Sequence, residues 1–143
     1  ALMDAVIGGK TTCPSMHIVL QSGSNAILKR MNRKYTRQVF LESVARLKAA
    51  HAGFTFTTDV IVGFPGETEH DFEETLEVMR EVQFAKVHVF PFSVRERTRA
   101  ALYPNQVPKE VIQERMRRAL REAELQSFHL RESFVGQRME VLV

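Results

Sequence analysis

The sequence predicts an α/β fold of parallel strands that ends in a long helix. Three observations predict it. Apolar, β-branched runs at residues 17–20, 54–62 and 86–92 alternate with stretches of helical periodicity. Each run closes on a turn: Gln21-Ser22-Gly23, Gly63-Phe64-Pro65-Gly66 and Phe92-Ser93. Several helical stretches open on a capping residue or a proline. A strand–helix–strand–helix–strand–helix order implies parallel strands joined by right-handed crossovers.

The elements follow in chain order. Residues 1–7 read as the end of a helix stopped by Gly8-Gly9, and residues 25–31 as one or two helical turns. Thr36 can cap a helix whose Val39, Phe40, Val44 and Leu47 recur at roughly helical spacing. Gly53 suits the left-handed position after that helix. The second strand, nearly continuous in apolar residues and Thr, reads as covered on both faces. Thr68 caps the next helix with Asp71 at its third position, and Phe72, Leu76 and Met79 give that helix its core face. Pro108 opens the long helix, which runs to about Phe134 and stops at Gly136. Residues 139–143 look like the start of another strand.

Composition bounds the functions. The chain has 143 residues, 44% hydrophobic and 26% charged, ordinary for a globular protein. No run approaches the ~20 apolar residues of a membrane span. No signal peptide is readable, and the start at Ala1-Leu2-Met3-Asp4 suggests a fragment. A single cysteine, Cys13, rules out an internal disulfide framework and points to the cytoplasm. It also rules out an iron–sulfur cluster or structural zinc held by cysteines of this chain. Cys13 itself reads as a packed thiol, and His17 as a packed histidine at a strand start. No two of the five histidines make a metal-ligand spacing, so no metal site is expected. A Gly-x-Ser-x-Gly nucleophile elbow and a phosphate-loop pattern are both missing. A net charge of +3 permits nucleic-acid binding without establishing it.

In parallel α/β folds ligands sit at the carboxyl ends of strands. The three turns therefore gather on one rim. Gly63 and Gly66 permit a sharp turn or close approach to a ligand. Asp59 lies within a strand, where a carboxylate is costly unless it is paired or faces a polar ligand. Gln21 closes its strand with an amide suited to hydroxyl groups. Arg33, in "KRMNRKY", carries a fork suited to a carboxylate, or is simply solvated. Arg95, Arg97 and Arg99 cluster in the loop after the third strand, where they either meet phosphates or are solvated. The long helix mixes Arg115, Arg117, Arg118 and Arg121 with glutamates, the pattern of a solvated face laced by side-chain pairs.

Three segments carry a family resemblance: "CPSMHIVLQSGSNAILKRMNRKYT", "TTDVIVGFPGETEHDFEET" and "VHVFPFSVRERTRAA". In order and spacing they resemble the radical-SAM tRNA methylthiotransferases, along nearly the whole chain. "MNRKYT" and the third segment look most like the branch acting on threonylcarbamoyl-modified adenosine beside the anticodon. The branch acting on isopentenyl-adenosine is the first alternative. An enzyme of the same family acting on a ribosomal protein, and a non-catalytic nucleic-acid-binding module, are the others.

The resemblance implies the C-terminal half of a partial (β/α) TIM-like barrel over residues 1–135. Residues 136–143 would begin a following RNA-binding β-barrel. It implies S-adenosylmethionine (SAM) and [4Fe-4S] clusters whose cysteine ligands lie outside this chain. The partners implied are tRNA and a reductant protein for the cluster; no obligate protein partner is readable. The net reaction would replace the carbon-2 hydrogen of adenine with a methylthio group. Matching positions in the wider superfamily assign SAM binding to Gln21, Arg33 and Asp59, with Ile61 lining the adenine pocket and Phe92 bordering it. The Gly63–Gly66 turn would close the adenine side. No catalytic residue is expected in this segment, and alone it should be inactive. Ser15, Val19, Arg97 and Arg99 depart from the family's pattern.

Overall fold

The computed structural model describes residues 2–10, 12–94 and 99–140, without the side chain of Arg99. The order of elements is α1 (Leu2–Gly8), β1 (Ser15–His17), α2 (Asn25–Arg30), α3 (Arg37–Ala50), β2 (Thr55–Val62), α4 (Glu69–Val82), β3 (Lys86–Pro91), a 3₁₀ helix (Arg99–Leu102) and α5 (Lys109–Glu132). The three strands form one parallel sheet in the order β1-β2-β3. Parallel strands alternating with helices, and a long closing helix, are what the sequence predicts. Among the described residues no helix is long and apolar enough to cross a membrane.

The sheet has two unlike faces. Phe56, Thr58, Val60 and Val62 are buried, and the three apolar ones join one cluster with Phe40, Val44 and Leu47 of α3, Phe72, Leu76 and Met79 of α4, and Ala119 and Ala123 of α5. The opposite face, Thr55, Thr57, Asp59 and Ile61, is only half-buried. The expectation of cover on both faces therefore holds for one face only. Val39 also departs from its expected core place: it is 51% exposed, while Phe40 one residue on takes the core position.

β1 begins earlier and ends sooner than its apolar run suggests. The Thr58 hydroxyl accepts a hydrogen bond from the Leu20 N–H at 2.9 Å, so the ladder breaks there. It resumes for one residue, Gln21, whose N–H donates to the Asp59 carbonyl and whose carbonyl accepts from the Ile61 N–H. The caps follow the sequence. Thr36 accepts from the Val39 N–H, and Thr68 and Asp71 form a reciprocal capping box. Burial pushes the Asp71 pKa up, but hydrogen bonds from Ser24 and Thr68 outweigh this and hold it below the ordinary value. α3 ends without a left-handed glycine: His51 is extended, and its ring accepts from the Gly53 N–H. Pro108 stands at the N-cap of α5, just outside its first turn. Met139 and Glu140 are not in a strand, and residues 141–143 lie outside the described residues.

α4 and α5 join through charge. Arg115 is 5% exposed; it donates to the Glu67 carboxylate at 2.8 Å and to the Glu67 carbonyl at 3.0 Å. The same carboxylate accepts from the Gly63 N–H at 2.9 Å. Arg118 pairs with Glu69 and Glu73 of α4, and its guanidinium lies 4.9 Å from the centre of the Phe72 ring. The arginines at these two positions thus reach across to another helix rather than along their own, because α5 presents them to an acidic neighbour.

Three predictions follow from this packing. Arg115→Met should cost about 3–5 kcal/mol at neutral pH, since it strands a buried carboxylate. Burial raises the Glu67 pKa against the opposing Gly63 and Arg115 contacts, so the folded chain keeps that proton above its ordinary value of 4.5. Stability from this group is therefore full below that pH and is lost as pH rises through the folded pKa. Urea unfolding across pH 4–7 should show that fall in the parent and not in Glu67→Gln. A Cβ at position 23 would lie 2.4 Å from the Glu74 carbonyl oxygen, so Gly23→Ala should cost about 1–3 kcal/mol in the same assay.

Candidate functional site

A cavity of about 620 Å³ opens at the carboxyl end of the sheet. Its walls include Gln21, Asp59, Ile61 and Phe92, four of the five residues expected to meet a cofactor. Parallel register explains the convergence. Asp59 pairs with His88 and Ile61 with Phe90, so alternate residues of β2 and β3 share the half-buried face. Gln21 joins them through its bridge to Val60.

Gln21 has the geometry of a constrained site residue. It is 7% exposed and holds φ at 63°, a left-handed conformation rare outside glycine and its polar relatives. Its backbone is spent on β2, and its amide makes no hydrogen bond to another described side chain or backbone group. The amide of a nearly buried side chain is thus left for the cavity. Ser22, Gly23 and Ser24 fix the segment from behind: Gly23 N–H donates to Thr75 at 2.9 Å and the Ser24 hydroxyl to Asp71 at 2.6 Å.

Asp59 is oriented from the sheet face. The His17 ring lies between Thr57 and Asp59, with Nδ1 2.8 Å from the Thr57 hydroxyl and Nε2 3.5 Å from the Asp59 carboxylate. A hydroxyl that donates to Nδ1 leaves the proton on Nε2, facing the carboxylate. His17 is therefore not a packed core histidine; its side chain is 44% exposed on the open face. Cys13 is likewise exposed rather than packed, because it lies ahead of β1 and outside the sheet.

The Gly63–Gly66 turn stands behind the cavity and does not line it. Gly63 and Gly66 have φ of 77° and 83°. A Cβ at Gly63 would meet Ile112 of α5 at 2.4 Å. Between the two glycines, Phe64 packs edge-on against Phe92 with ring centres 5.2 Å apart. The turn thus places Phe92, and Phe92 walls the cavity.

Arg33 is exposed and outside the cavity wall. It lies near Tyr35, whose hydroxyl pKa is raised by burial and pulled back by the Arg33 charge. Tyr35 in turn donates to the Leu20 carbonyl at 3.1 Å, next to Gln21. Arg33 therefore borders the site through two intermediaries. Arg95 and Arg97 lie outside the described residues, and for Arg99 only the backbone, opening the 3₁₀ helix, is described.

Sequence reasoning placed Ser93 on the rim but missed the wall residues Phe90, Pro91 and Ala100, and the orienting role of His17. For Phe90 a signal existed: it lies one period-2 step before Phe92 on the same strand. For His17 none did, since its partners come from β2.

Residues 3–79 match the model of the radical SAM superfamily. The chain is 58% identical over 111 residues to the threonylcarbamoyladenosine tRNA methylthiotransferase MtaB of Chlamydia pneumoniae, an overlap of 78% of this chain and 26% of that relative. It is 50% identical over 130 residues to the tRNA-2-methylthio-N(6)-dimethylallyladenosine synthase of Thermobifida fusca, covering 91% and 26%. A synthase of the same name from Desulfitobacterium hafniense is 40% identical over 142 residues, covering 99% and 32%. The chain thus spans about a quarter to a third of the length of these relatives. The resemblance seen in the three sequence segments is borne out, and with more than half of its length matched the chain belongs to the radical SAM superfamily.

Proposed function

We propose that this chain supplies the SAM-holding wall of a radical tRNA methylthiotransferase acting on threonylcarbamoyl-modified adenosine. One observation carries the reading: Gln21, Asp59, Ile61 and Phe92, drawn from three chain segments, meet at one cavity at the carboxyl end of a parallel sheet. The donor set fits a nucleoside. A free amide and an oriented carboxylate stand beside apolar and aromatic walls, the mix that binding pockets use to fix a ligand's orientation. The cavity is also of a size usual for small-molecule sites.

In this reading Gln21 and Asp59 bond the ribose hydroxyls, and His17 keeps the Asp59 carboxylate turned toward them. Ile61 and Phe92 border the adenine and exclude water from it. Arg33 takes the methionine carboxylate. SAM, with its [4Fe-4S] cluster, would supply the radical chemistry at the target base. Arg95, Arg97 and Arg99 contribute contacts to the tRNA. The cluster ligands and a reductant come from outside this chain, residues 136–143 lead into an RNA-binding domain, and the protein works in the cytoplasm. Alone, this segment is inactive.

The choice of nucleoside rests on the 58% identity to a relative named for threonylcarbamoyladenosine, against 50% and 40% for two named for dimethylallyladenosine. Mass spectrometry of tRNA nucleosides from cells lacking the full-length enzyme should show loss of the methylthio group from threonylcarbamoyladenosine. Loss from dimethylallyladenosine instead would reassign the substrate. For the cavity, calorimetry with S-adenosylhomocysteine on the full-length protein should show about tenfold weaker binding for Asp59→Ala and for Gln21→Ala. Unchanged affinity in both would remove the ligand from this cavity.

A further inference from the structure

Beside the cofactor cavity runs a second groove of about 400 Å³, and Ala100 walls both. Lys29, Arg30 and Asn32 line it together with Phe64 and Tyr103. Among the described residues that wall it, none is acidic. The Tyr103 ring stands edge-on to Phe64, with centres 6.1 Å apart, so an aromatic surface backs a basic one.

Six arginines elsewhere in the molecule are spent on ion pairs. Arg37, Arg46, Arg80, Arg115, Arg117 and Arg118 each pair with a carboxylate. Lys29, Arg30, Arg33 and Lys34 do not pair with any described carboxylate. Arg30 spends one guanidinium nitrogen on the Pro65 carbonyl at 3.0 Å, and Lys34 reaches the Asn32 side chain at 3.4 Å. Four positive charges within six residues repel one another, and no described anion offsets them. Helix α2 has six residues, and its short carbonyl end does not call for four cations.

From this geometry we infer that the groove binds the sugar–phosphate backbone of single-stranded RNA next to the nucleotide being modified. Lys29 and Arg30 in the groove wall meet phosphates, with Lys34 beside them through its bond to the wall residue Asn32, and Tyr103 offers its ring to an unpaired base. Unpaired cations lining a groove supply the salt-sensitive part of RNA binding, and an aromatic ring supplies a stacking surface open to any base. Ala100 lines both, so the groove lies next to the cavity, and a strand lying in the groove would bring its neighbouring base beside the cofactor. The inference rests on the tRNA reading above and adds where the strand lies.

The test uses the full-length enzyme, an anticodon stem-loop RNA and S-adenosylhomocysteine as probes. Lys29→Ala/Lys34→Ala removes two exposed charges, and Arg121→Ala/Arg138→Ala removes two exposed charges elsewhere. The first pair should weaken RNA binding about tenfold and lower the salt slope by about 0.7 per lost contact. Tyr103→Leu should weaken binding with little change in that slope. S-adenosylhomocysteine affinity should be unchanged in both charge-removal pairs. An RNA loss no larger than that of the control pair would overturn the groove and leave a solvated basic face. A parallel loss of S-adenosylhomocysteine affinity would overturn it by assigning these cations to the cofactor. If the parent enzyme fails to bind the RNA, the tRNA reading itself falls, and the groove with it.

Discussion

One buried ion pair fixes the relation between the sheet's rim and the long helix. Glu67 and Arg115 are both nearly sealed from water. A buried pair gives back its desolvation cost only with good geometry and further hydrogen bonds. Both conditions are met on the carboxylate, which also takes the Gly63 N–H. The guanidinium is served less well, because its Nε has no hydrogen-bond partner. A hydrophobic pair of similar size would hold the helices at lower cost, but it could not also bind a turn amide and a turn carbonyl. The pair thus adds position to cohesion: α5, α4 and the end of β2 are pinned at one point. Phe64 leaves that turn against Phe92, and so the pinned point sets one wall of the cavity.

The half-buried sheet face shows what this rigidity serves. A sheet face facing only water has little reason to carry Ile61 and Phe90, and one facing only core has none to carry His17, Asp59 and His88. A mixed face suits a lumen, where polar groups are held at chosen places on an apolar lining. Asp59 illustrates the arrangement. Its strand neighbours Thr58 and Val60 point into the helix layer and are fully buried. The backbone that presents the carboxylate is therefore held from behind, and His17 restrains it from the side.

Much of the fold was legible in the sequence because its signals are local. Thr68 and Asp71 sit three residues apart and cap α4 as their spacing says, and the β2 run ends at a glycine that does adopt a positive φ. The site was legible in part for a different reason: parallel strands put their carboxyl ends on one rim whatever their contents. What escaped is long-range. Arg115 reads as one more solvated arginine until a glutamate 48 residues earlier is brought beside it. Thr58 looks like another strand residue, yet its hydroxyl interrupts β1 by taking the Leu20 N–H. The extended His51 in place of a left-handed Gly53 is likewise decided by a side-chain bond, from the Gly53 N–H to the His51 ring.

The short segment around α2 joins the cavity and the groove. Upstream it is anchored by Gly23 and Ser24 to α4, and downstream by Thr36 at the start of α3. Between those anchors it presents Gln21 to one cavity and the basic run from Lys29 to another. Arg30 adds a tie to the Pro65 carbonyl, and Tyr103 reaches back to the Arg30 carbonyl at 3.4 Å. The cofactor wall, the glycine turn and the loop after β3 thus share one small framework. A strand that pulled on the groove would load the same contacts that hold Phe64 and, through it, Phe92. On the proposed reading, this geometry couples RNA in the groove to SAM in the cavity without a moving domain, because the residues assigned to the two are bonded to each other directly.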